Sequence, residues 1–172
     1  MKMLRLFYAL LFCFLFSCNN NTTVDVEEGI RGRVVSIADG DTFTLLTEDK
    51  KQVKVRLHGI DCPERAQDFG QVARQKLSDL VFNQQVRVVE KDIDRYKRTV
   101  GIAYTSDNRC VNEELLRAGL AWHYAQYDNN PEWAALEREA REQRIGLWSQ
   151  RNPVRPSEYR KSKREPAQKL GE

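Results

Sequence analysis

Val35-Ser36-Ile37-Ala38-Asp39-Gly40-Asp41-Thr42-Phe43-Thr44-Leu45 alternates apolar with polar or small residues, breaks at Asp39-Gly40, and alternates again. A period of two on either side of an Asp-Gly turn reads as two antiparallel strands. A second turn, Asp49-Lys50-Lys51, leads to Val53, Val55 and Leu57 alternating with Lys54, Arg56 and His58. These strands form a three-stranded meander. Beyond Pro63 the period changes: Ala73, Leu77, Leu80 and Val81 fall on one face of a helix. Val86 and Val88, then Val100, Ile102 and Tyr104, mark two more strands around a basic turn. Val111, Leu115 and Ala118 predict a short helix with Gly119 as its C-cap, and Trp133, Leu136, Ala140 and Leu147 a last helix. A β-barrel with helices follows: a five-stranded OB-fold, one helix between strands three and four, and two C-terminal helices.

The ends of the 172-residue chain read differently. Residues 1–17 join Lys2 and Arg5 to the apolar run Leu6–Phe16, which is the pattern of a secretory signal peptide. The run is shorter than the roughly 20 apolar residues of a membrane-spanning helix. It ends Leu15-Phe16-Ser17-Cys18, which resembles a bacterial lipobox and makes Cys18 the expected lipidation site. The expectation is therefore an exported lipoprotein held to a membrane of the cell envelope through Cys18. Residues 18–29 read as a linker, 30–149 as the folded domain, and 150–172 as a flexible basic tail carrying Arg151, Arg155, Arg160, Lys161, Lys163 and Arg164. Cys62 and Cys110 are the cysteines left in the domain, and in an oxidising compartment they can pair. No cysteine or histidine spacing suggests zinc, and neither His58 nor His123 reads as a ligand. A net charge of +3 permits a nucleic-acid partner without arguing for one.

Two acidic clusters carry more information: Asp39-Gly40-Asp41-Thr42 at a strand turn, and Asp61-Cys62-Pro63-Glu64 just past the third strand. Arg56 and the run Asp94-Arg95-Tyr96-Lys97-Arg98 accompany them. Phosphodiester hydrolysis needs a hard cation, a base for water and positive charge on the phosphoryl oxygens. Carboxylates and carbonyls suit calcium, a planar guanidinium grips phosphate through two donors, and a glutamate can take a proton from water. Singly, each cluster has a plainer reading: a turn, a helix N-terminus, a solvated face. Arg56 and Asp61 also have opposite strand parity, so they meet only if the chain bends near Gly59.

The segment Val34–Trp148 resembles the staphylococcal-nuclease (thermonuclease-like) family. The likeness rests on Ile37-Ala38-Asp39-Gly40-Asp41-Thr42, Val55-Arg56-Leu57-His58-Gly59-Ile60-Asp61-Cys62-Pro63-Glu64, Asp94-Arg95-Tyr96-Lys97-Arg98, Val111-Asn112-Glu113, Ala118-Gly119-Leu120-Ala121 and Gly146-Leu147-Trp148-Ser149. The resemblance implies an OB-fold endonuclease that hydrolyses DNA or RNA with one calcium ion and little base specificity, acting as a monomer. It makes Asp41, Asp61 and the carbonyl of Cys62 the metal ligands, Glu64 the general base, and Arg56 and Arg98 the phosphate-gripping arginines. Asp39 stands behind the ligands. Arg95, Tyr96 and Tyr127 match positions that hold the nucleotide, while Tyr124 is offset by one from the family's other tyrosine. The sequence departs from the pattern in three places. Lys97 replaces a glycine, Cys62 replaces threonine or alanine, and the stretch after Glu64 lacks the length of the family's basic loop. The alternative is a non-catalytic OB-fold lipoprotein that only binds nucleic acid.

Overall fold

The computed structural model describes residues 28–164. The expected signal peptide, Cys18 and most of the linker lie outside the described residues. Strands β1 (Ile30–Asp39), β2 (Thr42–Thr47), β3 (Gln52–Leu57), β5 (Gln85–Ile93) and β6 (Thr99–Thr105) close a barrel in the order β1-β2-β3-β6-β5. All pairings are antiparallel except β3 with β6, so the barrel is a mixed one of OB type. The register of β1 slips after Val34 and again after Ile37, and such bulges bend a strand. That bend lets β1 serve two neighbours, pairing with β5 at Ile30–Arg33 and with β2 along Gly32–Asp39. The slip after Val34 also changes which face is buried. Val34 and Ile37, three apart, both point inside with Phe43, Leu45, Val55, Leu57, Val86 and Val88, while Val35, expected to share a face with Ile37, is only half-buried.

Helix α1 (Gly70–Val81) lies between the third and fourth barrel strands and buries Ala73, Leu77, Leu80 and Val81, the face its spacing predicts. Helix α2 (Val111–Arg117) ends in a Schellman motif. Gly119 (φ 64) donates to Leu116 O, and Leu120 donates to Leu115 O. Helix α3 (Pro131–Glu142) is capped by the Asn130 side chain, which accepts from Glu132 N and Trp133 N. It is shorter than the apolar spacing suggests. Arg144 (φ 54) and Gly146 (φ 57) break it, and Leu147 falls in the separate 3-10 turn Gly146–Ser149.

Two features depart from expectation. Strands β4 (Ile60–Asp61) and β7 (Trp122–His123) pair outside the barrel, Asp61 opposite Trp122. Two-residue strands carry no period for a sequence to display. The stretch from Gln150 is not flexible throughout, because Pro156–Arg164 form a helix, α4. Proline at its start, Glu158 in its first turn and Lys161, Lys163 and Arg164 in its last suit the helix dipole, so it needs no apolar stripe. Cys62 and Cys110 are both free thiols, not a disulfide.

Candidate active site

The bend expected at Gly59 is present. Gly59 adopts φ 65, and a Cβ there would come within 2.8 Å of Asp128 and Trp133 side-chain atoms. The chain reverses parity at that point, and Asp61 swings back to Arg56. Arg56 Nη2 lies 2.9 Å from Asp61 Oδ1, and Nη1 lies 3.0 Å from Asp41 Oδ2. Nη1 also donates to the carbonyls of Leu57 and Ile60. One guanidinium therefore fastens the β1–β2 turn to β4, with both carboxylates buried. Asp41 further accepts from Cys62 N at 2.9 Å and from the Thr42 hydroxyl at 3.1 Å. Burial opposes the Arg56 charge, but Asp41 and Asp61 outweigh it and push its pKa up.

The negative charge is crowded. Burial, with the charge of Asp41 nearby, raises Asp39 from 3.8 to about 6. Burial also raises Asp61, and Arg56 and Arg160 only partly offset it. Two buried carboxylates, Asp41 and Asp61, with Asp39 beside them, suit a hard divalent cation. The donors that Asp41, Asp61 and a backbone carbonyl offer are all oxygen, which fits calcium. Among the described residues no three acidic, cysteine or histidine side chains converge as a metal cluster, so the fit rests on Asp41 and Asp61 brought together by Arg56. The Cys62 thiol points away from that chemistry. It donates to Gly40 O at 3.3 Å, and burial first, then Asp41, lifts its pKa well above 9.0.

A cleft of about 690 Å³ opens over this cluster. Asp39, Asp41, Arg56, Cys62, Glu64, Arg95, Tyr96, Arg98 and Tyr127 line it, and Asp61 sits just beneath. The opposite wall is the basic turn. Asp94 accepts from the backbone N–H groups of Tyr96 and Arg98 and from Arg98 Nε at 2.7 Å. Lys97, standing where the family has glycine, takes the left-handed conformation (φ 60), so the turn closes despite the side chain. Arg98 keeps its terminal nitrogens for the cleft. Tyr96 is exposed, with the guanidinium carbons of Arg95 and Arg98 at 4.9 and 5.5 Å from its ring centre. Tyr127 is equally open and packs edge-on against Tyr124, which also lines the cleft despite its offset.

The sequence reading misses three contributors. Arg160 of α4 reaches Glu64 and Asp61, at 2.6 and 3.1 Å. Buried Asn112 accepts from Ala103 N and donates to His58 O, tying β6 to the Gly59 turn. Asp128 receives both His58 and His123, which holds the tyrosine loop against that same turn. Asn112 lies within a matched motif, but neither Arg160 nor Asp128 carries any local signal of its partner.

A model of the family described as Staphylococcal nuclease homologue matches residues 54–150. An uncharacterized endonuclease of Haemophilus influenzae is 43% identical over 132 residues, which cover 77% of this chain and 74% of that protein. A micrococcal nuclease of Shigella flexneri is 41% identical over 142 residues, covering 77% of this chain and 81% of that one. A staphylococcal-like nuclease of Arabidopsis thaliana is 43% identical, over 66% of this chain and 35% of its own length.

Proposed function

The chain belongs to the staphylococcal nuclease family and is a phosphodiester-cleaving endonuclease, and from that premise we propose that it cuts DNA, RNA or both with calcium and little base specificity. The observation that carries the reading is Arg56, which spans Asp41 and Asp61 on the floor of a cleft that also holds Glu64 and Arg98. Asp41, Asp61 and the Cys62 carbonyl would hold the ion. When bound, calcium polarises a phosphoryl oxygen as a Lewis acid.

The protein's own groups do the rest. Glu64 is half-buried at the cleft, and one of its oxygens is held by Arg160. The other takes a proton from water, whose oxygen bonds to phosphorus as one P–O ester bond breaks, its electron pair leaving on the sugar oxygen, which takes a proton from solvent. Arg98 donates its terminal N–H groups to the oxygens that gain charge, from a guanidinium aimed by Asp94. Arg56 sets the spacing of the two carboxylates and adds positive charge beside the same phosphate. Exposed Tyr96 and Tyr127 offer flat faces to sugar and base, and stacking of that kind tolerates any base. The exported, membrane-tethered state through Cys18 and the monomeric state belong to the same proposal. They rest on the N-terminal sequence pattern and on the family resemblance respectively.

The test is digestion of DNA and of RNA by the purified protein, in calcium and in excess chelator. Cleavage of either or both that disappears with chelator supports the reading. Cleavage that persists in chelator ends the calcium assignment. Binding of DNA without cleavage would make this copy of the fold a binding module.

A further inference from the structure

Arg160 of α4 enters the carboxylate cluster directly. Its Nη1 lies 2.6 Å from Glu64 Oε1 and 3.3 Å from Asp61 Oδ1, and its Nη2 lies 3.1 Å from Asp61 Oδ2. A flat guanidinium bridging two carboxylates fixes their separation and their planes together, which a point charge cannot do. The helix is fastened to the elements that carry those carboxylates. Gln67 donates from Nε2 to Val154 O, just before α4, and accepts from Glu64 N at its Oε1. Arg155 stacks on Trp122, the residue paired with Asp61 across the β4–β7 ladder. The root of the helix therefore touches both the Glu64 loop and the Asp61 strand.

The arrangement leaves room for the chemistry. A carboxylate has about four lone-pair sites. On Asp61, Arg56 and Arg160 together fill both on Oδ1 and one on Oδ2, and one remains on Oδ2. On Glu64, Oε1 faces Arg160, and among the described residues Oε2 takes no hydrogen bond, so it can face water. Asp39, Asp41 and Glu64 line the cleft and Asp61 lies beneath it, four carboxylates against the two positive charges of Arg56 and Arg160. A divalent cation is compatible with both arginines in place.

We propose that Arg160 is a positioning residue of the active site, holding Glu64 and Asp61 in fixed relation, and that α4 is a working part of the enzyme. The inference rests on the nuclease reading above. Two measurements on the full chain test it, one of them independent of cleavage.

The first follows the Arg160 guanidinium N–H signals by NMR as calcium is added. They should stay slowed in rotation. If they collapse to the pattern of a free guanidinium, calcium displaces Arg160 and the proposal fails. The second compares wild type with R160Q and R160K at saturating calcium, with calcium affinity measured calorimetrically in the absence of substrate. Loss of a cation beside Asp61 favours calcium electrostatically while loss of a brace on Asp61 disfavours it, so the two oppose and affinity should stay within a few-fold of wild type. The kcat should nonetheless fall about 10²-fold in R160Q, the scale of a misplaced catalytic group, with KM within a few-fold, and R160K should recover only part. An unchanged or raised kcat overturns the proposal, as does a loss seen only in KM. Failure of wild type to cleave in calcium defeats the nuclease reading instead, and the NMR result still decides whether Arg160 holds the pair.

Discussion

At the scale of single residues, the cleft separates jobs among side chains that look alike in the sequence. Glu64 and Asp41 are both acidic, yet one is half-buried at the cleft and the other sits under a lattice of hydrogen bonds. Glu64→Gln keeps shape and removes the proposed base, so cleavage should fall by roughly 10²–10⁴ while calcium binding, read by calorimetry, survives. Retention of full rate would remove Glu64 from the mechanism. Asp41→Asn should instead raise the calcium concentration needed for half-maximal rate. Lys97 gives a stability prediction. Its left-handed backbone is unfavourable for an L-residue by roughly 1–2 kcal/mol, and glycine adopts it freely. Glycine's greater freedom in the unfolded chain offsets part of that gain. Lys97→Gly should therefore shift the denaturant midpoint upward by the equivalent of about 1 kcal/mol or less, with cleavage retained. A lower midpoint would mean the lysine side chain stabilises the turn in its own right.

At the scale of elements, the tyrosine loop hangs from one carboxylate. Asp128 accepts from Asn130 N and from His123 Nε2 and faces His58 at 3.4 Å. Burial alone would raise its pKa, but the Asn130 N–H, then His123, then His58 outweigh burial and hold it below 3.8. A depressed carboxylate stabilises the folded state above its unfolded pKa, and that stability is lost as pH falls through the folded value. Asp128→Asn should thus cost stability near neutral pH, about 1–3 kcal/mol for a broken partly buried network. The gap between variant and wild type should close in acid, below about 3.8. Chemical unfolding at both pH values measures it. Equal destabilisation at both would show that the ionised carboxylate is not what holds the loop. A loosened loop should also weaken substrate binding through Tyr124 and Tyr127 more than it slows turnover.

At the scale of the whole molecule, the residues proposed for catalysis gather at one cleft, and α4 reaches that cleft through Arg160. Among the described residues no helix is long and apolar enough to cross a membrane. The attachment proposed from the N-terminal sequence pattern is lipid at Cys18. Several acyl chains anchor firmly, at about 0.8 kcal/mol per buried CH₂. Wild type should enter the detergent phase on phase separation, and Cys18→Ser should stay in the aqueous phase with its nuclease activity intact. Equal partitioning of the two would end the lipoprotein assignment.

What the sequence by itself determined is whatever repeats or sits close along the chain. The period of two at Val53, Val55 and Leu57 set the strands, the face of Ala73, Leu77 and Leu80 set α1, and Gly119 set the end of α2. The acidic and basic clusters were legible because their members are near neighbours, and Arg56 with Asp61 needed only a glycine between them to meet. Tertiary structure decided the rest. Asp61 opposite Trp122, Asp128 between two histidines, and Arg160 on Glu64 join residues far apart in sequence or too few to show a period. Such contacts form because the closed barrel brings distant ends to one mouth, where buried charge must find a partner. A basic run after residue 150 reads as solvated until the carboxylates that draw Arg160 inward are in place.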